Sequence, residues 1–224
     1  MASIQEDFDH IARLAATDAE QPGTYDALLL EQIPPSCQSV LEVGCGTGTL
    51  SRALAARGCR VVGMDLSPEM IRLARARTSS TLDVSYRCED FLSLSADEPT
   101  YDCVLSVATL HHLPLDVAVG RMAGLVRPGG VLVVHDVRSN PGAQGLAVSA
   151  LAMLSRAGSR VRRGQSRPRA EVRAAWREHG RGERYATMPE VKAWSRRLLP
   201  GARTFWHLQW RYTVVWQRLS QPTL

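Results

Sequence analysis

The sequence has few cysteines, and they are not arranged in pairs. Five cysteines are scattered along 224 residues, an odd number with no C-x-x-C spacing. This pattern argues against a disulfide framework and against a cysteine zinc site, and we predict no metal site. The chain also lacks a positively charged apolar leader and any apolar run long enough to cross a bilayer. These absences predict a cytoplasmic protein without a membrane span.

Lysine is almost missing, and charge is unevenly divided along the chain. Lys192 is the single lysine among 27 basic residues. Residues 1–137 contain 10 basic and 18 acidic residues, whereas residues 138–224 contain 17 basic and 4 acidic residues. All five tryptophans lie in that second part. The chain therefore changes from an acidic to a basic composition near residue 138, although its length predicts a single domain over residues 1–224.

The most informative stretch is residues 40–48, where an apolar run with one acid passes into three alternate glycines. Such a run predicts a buried strand that turns sharply into a helix, which Gly58 can end. Glycine allows positive φ angles, and its missing Cβ lets a ligand lie against the main chain. A dinucleotide-binding fingerprint would need a glycine at position 49, where this chain has Thr49.

The form E-x-G-x-G-x-G, with Glu42 two residues before the first glycine, resembles motif I of the class I S-adenosylmethionine (SAM)-dependent methyltransferases. A carboxylate at the strand end suits the cationic groups of SAM. The alternative is a glycine-rich turn that binds no ligand. Residues 60–65 predict a second strand, and Asp65 lies 21 residues beyond Gly44. A carboxylate there can accept both ribose hydroxyls, or it can merely cap the next helix.

Further motifs at compatible spacing extend this resemblance to residue 136. In the family, an acid after the third strand receives the adenine amino group, and the next residue's amide meets the ring. Asp90 and Phe91 match these positions, with solvated turn residues as the alternative. The resemblance implies SAM as cofactor and S-adenosylhomocysteine as product. The implied cofactor-binding residues are Glu42, Gly44, Cys45, Gly46, Gly48, Asp65, Leu66, Met70, Asp90, Phe91, Ser106 and Val107.

Five successive strand-and-helix units predict a doubly wound α/β sheet, with the ligand outside the carboxyl ends of the strands. Strands are expected at residues 101–107 and 131–136, with a helix over residues 116–126 between them. Segments 204–208 and 212–216 resemble the antiparallel hairpin that completes the family's seven-stranded sheet. The predicted fold is therefore Rossmann-like and mostly parallel, with an antiparallel end.

Two segments outside this core are predicted to cover the site. Residues 4–33 look helical with a break at residues 21–23, and in the family such a helix caps the SAM pocket. A helix that only packs on the sheet is the alternative. Residues 139–186 are an insertion where the family builds its acceptor lid, with ten arginines between Arg156 and Arg184. These arginines would face an anionic group, or they belong to a solvated helical face.

The candidate catalytic residues are His111, His112 and Asp136, which follow the fourth and fifth strands. The ordinary pKa of histidine, near roughly 6.5, suits proton removal at neutral pH, and a nearby carboxylate would orient the ring and raise its pKa. The L-H-H-L pattern resembles small-molecule methyltransferases in which a histidine lies beside the methyl group. We favour His112 as the base. In the alternative, one histidine packs against SAM and the other caps the next helix.

These patterns predict a SAM-dependent methyltransferase that modifies an O, N or C atom of a small-molecule acceptor, a secondary metabolite. The reaction would be an in-line displacement that depends on alignment of acceptor and methyl group. The basic second half suggests a nucleic-acid (RNA) methyltransferase as an alternative. Against it, the sequence shows no RNA-binding module and no N-P-P-Y-type tetrapeptide after the fourth strand. A SAM-binding auxiliary protein or cyclase that transfers no methyl group is the other alternative.

Overall fold

The computed structural model describes residues 3–18, 20, 22–95, 97–140 and 168–220. The strands are β1 (Ser39–Val43), β2 (Arg60–Asp65), β3 (Val84–Cys88), β4 (Tyr101–Val107), β5 (Val126–Val137), β6 (Arg203–His207) and β7 (Arg211–Gln217). The helices are α1 (Ile4–Ala15), α2 (Asp26–Glu31), α3 (Thr49–Ala55), α4 (Pro68–Arg77), α5 (Leu115–Leu125), α6 (Ala170–His179) and α7 (Met188–Leu198). Among these described residues, none of the helices combines the length and apolarity that crossing a membrane requires.

The strands form one sheet in the order β3-β2-β1-β4-β5-β7-β6. Strands β1 to β5 run parallel, whereas β7 is antiparallel to both β5 and β6. This confirms the predicted Rossmann-like sheet with an antiparallel end. The strand order reverses between β1 and β4, and ligands of such sheets bind outside the strand ends at that reversal.

Both faces of the sheet are buried at its central strands β1, β4 and β5, which explains the largely apolar sequences of these strands. On one face, Val104 packs in a core with Met122 of α5 and Trp194 of α7. On the other face, Leu105 packs in a core with Leu29 of α2 and Leu54 of α3. The alternating residues of β4 therefore serve two separate cores, and the strand stays fixed under the site at its carboxyl end.

One segment differs from the sequence predictions, and another lies largely outside the described residues. The fifth strand begins at Val126, five residues before the predicted start. The reason is pairing with the chain after β7: Gly129 donates to the Arg218 carbonyl at 2.8 Å, and Arg218 donates to the Gly130 carbonyl at 2.9 Å. Residues 126–130 are thus part of β5, with Gly129 at a φ of +82°. Most of the predicted lid, residues 141–167, lies outside the described residues.

Candidate functional site

A cavity of about 490 Å³ opens at the carboxyl ends of β1, β2 and β4, where the strand order reverses. Gly48 and Ser106, although predicted to bind the cofactor, do not line it. The other ten predicted residues do line it: Glu42, Gly44, Cys45, Gly46, Asp65, Leu66, Met70, Asp90, Phe91 and Val107. The fold therefore brings most of the predicted set to one cavity.

The glycines after β1 serve different purposes. Gly44 has a φ of +74°, and a Cβ there would lie 2.0 Å from Oγ1 of Thr109. Gly46 has a φ of +52°, and a Cβ there would meet no atom within 4 Å. A Cβ on Gly48 would lie 2.3 Å from the hydroxyl of Tyr86. Gly44 and Gly48 thus allow close packing, whereas Gly46 leaves open space beside the cavity.

Asp65, the last residue of β2, ties the glycine loop to α4. Its Oδ2 accepts a hydrogen bond from the Gly46 amide at 2.8 Å, and its Oδ1 accepts one from the Ser67 amide at 2.9 Å. Burial raises the pKa of Asp65, while these backbone hydrogen bonds lower it. The residue therefore caps the chain and lines the cavity. Each carboxylate oxygen has a second lone pair, so both can accept another hydrogen bond.

Glu42 lies on β1 below the loop, with only 2% of its surface exposed. The Ser51 hydroxyl donates a hydrogen bond to it. The pKa of Glu42 is raised to about 8, mainly by burial and also by the negative charges of Asp26 and Asp65, whereas the Ser51 hydrogen bond lowers it. The carboxyl therefore binds a proton at neutral pH. A cation in the cavity would favour its ionised form.

Helix α1 lies over the cavity and presents Ile4, Phe8 and Ile11 to it. The helix is tied to the start of α4 by Asp9, whose Oδ1 accepts a hydrogen bond from the Ser67 hydroxyl at 2.5 Å. These three apolar residues recur at intervals of three or four positions, which places them on one face of the helix. Helix α1 is thus placed where a cap over the cavity was predicted.

Asp90 and Phe91 lie together on the wall that follows β3. The Asp90 Oδ1 accepts a hydrogen bond from the Leu92 amide at 2.9 Å and so caps a short 3₁₀ turn. The side chain of Phe91 is buried in the core beneath β4 and α5. Asp90 is an exposed residue, so its carboxylate remains accessible from the cavity.

The structure joins His111 to Asp136, as the sequence predicted for one of the two histidines. Nδ1 of His111 lies 2.7 Å from Oδ1 of Asp136, and the His111 amide donates to Oδ2 at 2.9 Å. Asp136 is 1% exposed. Neither residue lines the cavity. The pair therefore forms a fixed support directly behind His112.

His112 does line the cavity. Both of its ring nitrogens are buried, and neither has a hydrogen-bond partner among the described residues, although Oε1 of Glu183 lies 3.3 Å from Nδ1. The pKa of His112 is lowered to about 4, mainly by burial and also by the neighbouring His111 and His179, whereas the negative charge of Asp136 raises it. The expected effect of a carboxylate, which raises the pKa, is therefore present at His112, but burial outweighs it. Its imidazole is neutral at pH 7 and can accept a proton.

An aromatic wall beside His112 was not found from the sequence. Phe8 contacts His112, Trp176 and His179 at ring-centroid distances of 5.5, 6.0 and 4.9 Å. Trp176 and His179 belong to α6, which packs on α1. The regular spacing of apolar residues in α1 could have indicated that Phe8 belongs to this wall. Helix α6 gave no such signal, because the arginine-rich segment that contains it suggested a solvated surface.

The described arginines of the predicted lid do not line the cavity. Arg169 pairs with Asp18, Arg181 with Glu178, and Arg184 with Glu190. All three arginine side chains are at least half exposed. These residues behave as a solvated surface, the alternative that the sequence left open. Further arginines proposed for an anionic group, Arg160, Arg162 and Arg163, lie outside the described residues.

Comparison with known proteins gives a consistent picture. Residues 40–130 match the family model described as a methyltransferase domain. A ubiquinone biosynthesis O-methyltransferase of Xanthomonas campestris pv. campestris is 39% identical over 112 residues, which cover 49% of this chain and 47% of that protein. The chain thus spans about half the length of the curated relatives it matches.

Two solved structures resemble the whole described fold. Magnesium protoporphyrin IX methyltransferase from Synechocystis PCC 6803, with bound S-adenosylhomocysteine, is 15% identical with a TM-score of 0.62, covering 96% of this chain and 97% of that one. The N-methyltransferase NodS from Bradyrhizobium japonicum WM9, in complex with S-adenosylhomocysteine, is 18% identical with a TM-score of 0.64, covering 95% and 98%. At these identities the likeness establishes the fold.

Proposed function

We propose that this chain is a class I SAM-dependent methyltransferase and that it transfers a methyl group from SAM to an oxygen atom of a small-molecule acceptor. The observation that carries the proposal is His112, a neutral imidazole with unpaired nitrogens at the edge of the cavity. An oxygen acceptor needs a base, and His112 is placed to be one, although its lowered pKa makes it a weaker base than an exposed histidine. The O-methyltransferase names of the curated relatives support the same choice of atom.

The cavity residues fit SAM. Glu42, Asp65 and Asp90 surround the cavity with three carboxyl groups, which suit a ligand that bears a sulfonium and an ammonium group. Open space above Gly46 allows a ligand to approach the main chain. In this proposal Asp65 accepts the ribose hydroxyls, and Asp90 and Phe91 hold the adenine. Bound SAM would supply an activated methyl group.

In this proposal the acceptor is held by Phe8 and Trp176 of the aromatic wall and by the neighbouring His112. Phe8 and Trp176 line the same cavity as the cofactor residues, and 48% of the Trp176 surface is exposed. Flat apolar side chains of this kind bind an aromatic or other planar acceptor by stacking. Closure of α1 over the cavity would exclude water and align the acceptor with the methyl group.

His112 removes the acceptor's proton in this mechanism, while His111 and Asp136 act as positioning residues. The two hydrogen bonds between His111 and Asp136 fix the turn that carries His112. The rings of His111 and His112 lie in contact, with centroids 3.8 Å apart. Asp136 therefore acts on the base through His111. A natural-product acceptor and a cytoplasmic location stay predictions.

The test is transfer of a labelled methyl group from SAM to a panel of phenols and alcohols, followed in single turnovers. We expect His112→Ala to bind SAM normally and to react about 10²–10⁴-fold more slowly, the usual contribution of a general base. His10→Ala, on the exposed surface of α1, is the matched control. An unchanged rate in His112→Ala would show that His112 is not the base. SAM binding without transfer to any acceptor would instead favour an auxiliary protein or cyclase.

A further inference from the structure

Three metal-ligating side chains meet next to the cavity. His111, His112 and Glu183, which we call the His–His–Glu cluster, each offer one ligand atom, and the three atoms lie within 4.8 Å of one another. All three residues are half-buried. Zinc binds imidazole nitrogens and carboxylate oxygens at about 2.0–2.2 Å. Small side-chain rotations would therefore bring all three atoms around one ion.

The hydrogen bonds around the cluster leave the required lone pairs available. Nδ1 of His111 lies 2.7 Å from the Asp136 carboxylate, so this nitrogen carries the ring proton and Nε2 keeps its lone pair. Histidines that bind metals usually donate their other ring N–H to a carboxylate in this way. His112 has two buried nitrogens without hydrogen-bond partners among the described residues. Coordination would remove the free-energy cost of that unpaired group.

The charges also suit a dication. Glu183 and Asp136 contribute two carboxylates, whereas neutral imidazoles contribute no charge. In the part of the chain that the structure describes, Glu183 forms no ion pair with an arginine or lysine. Its neighbours Arg181 and Arg184 contact Glu178 and Glu190 instead. The carboxylate of Glu183 therefore remains available to a cation.

We propose that the His–His–Glu cluster binds one divalent transition-metal ion of the zinc class. Two imidazoles and one carboxylate are a ligand set of three-ligand zinc sites, which keep a fourth position open. His112 lines the cavity, so the fourth position faces the acceptor side. The ion would take a lone pair of His112 and so inhibit proton removal. That inhibition rests on the proposed function, whereas metal binding itself does not.

The probe is Co²⁺, which replaces zinc and absorbs visible light when nitrogen and oxygen atoms bind it. The protein is first stripped with a chelator, and it carries Cys88→Ser because Cys88 is the exposed cysteine. We expect one Co²⁺ per chain. Glu183→Gln and His112→Ala should abolish the absorbance, and Asp136→Asn, which removes support for His111, should weaken binding about 10–100-fold. Glu178→Gln, an exposed carboxylate change on α6, is the matched control.

The proposed site would be overturned if the parent protein shows no Co²⁺ absorbance. It would also be overturned if the absorbance is unchanged in both Glu183→Gln and His112→Ala. Circular dichroism of each variant verifies that it folds. For the inhibitory effect, Zn²⁺ should stop methyl transfer by the parent protein, and a chelator should restore it. If the parent protein binds Co²⁺ at the cluster but His112→Ala keeps the full methylation rate, the metal site stands and the role of His112 as a base is refuted. The failures of the two proposals are therefore distinguishable.

Discussion

His111 and Asp136 are joined twice, through the ring Nδ1 at 2.7 Å and through the backbone amide at 2.9 Å. One buried carboxylate thereby connects the turn after β4 to the end of β5. The same carboxylate accepts the Val137 amide at 2.6 Å. Three donors thus converge on Asp136, and they hold His112 at the cavity edge.

The first prediction follows from these three donors. Asp136→Asn replaces an acceptor oxygen by an amide NH₂ group, which confronts the donors and leaves at least one of them unpaired. We expect the free energy of unfolding to fall by about 1–3 kcal/mol, the cost of an unsatisfied buried group. Urea unfolding measures the change. Asp97→Asn, at an exposed position, should be nearly neutral, and an equal effect of both substitutions would contradict this role of Asp136.

The second prediction compares two glycines with similar backbone angles. Gly44 has a φ of +74° and Gly58 a φ of +90°. Gly58→Ala should cost about 1–2 kcal/mol for the left-handed conformation alone, since a Cβ there meets no atom within 4 Å. Gly44→Ala adds a collision with Thr109 and should cost more. Thermal unfolding of both variants measures the difference, and equal losses would show that Thr109 yields without cost.

The third prediction concerns pH. The pKa of Glu42 rises from 4.5 to about 8 in the folded protein, so the folded state binds the extra proton between these values. Its contribution to stability is present below about pH 4.5 and is lost as pH rises through about 8, with a slope of at most about 1.4 kcal/mol per unit. Glu42→Gln should remove this dependence. If the free energies of unfolding of the parent protein and of Glu42→Gln change with pH in the same way across that range, this role of Glu42 is refuted.

Much of the site could be predicted because its signals are local in sequence. The glycine loop follows β1 within a few residues, and Asp65 ends the next strand, so parallel pairing of β1 with β2 brings them together. His111 and Asp136 follow neighbouring parallel strands for the same reason. In such a sheet, strand ends meet at one edge whatever the side-chain details.

The rest could not be predicted because it depends on tertiary packing. Trp176 lines the cavity, and His179 and Glu183 lie beside His112, because α6 packs on α1, which is far away in the sequence. The lowered pKa of His112 follows from the burial that this packing causes. Likewise, β5 begins earlier than predicted because Arg218, 88 residues after Gly130, pairs with Gly129 and Gly130. Local patterns do not contain these contacts.

The central claim is that the cavity binds SAM through the loop at Gly44–Gly46 and through Asp65. Calorimetric titration with S-adenosylhomocysteine tests it directly. We expect one binding site per chain, and Asp65→Ala should weaken binding by about 1–3 kcal/mol, the scale of lost charge-assisted hydrogen bonds. Asp83→Ala, at an exposed position, should leave the affinity unchanged. Absence of binding to the parent protein, or full affinity in Asp65→Ala, would contradict the account.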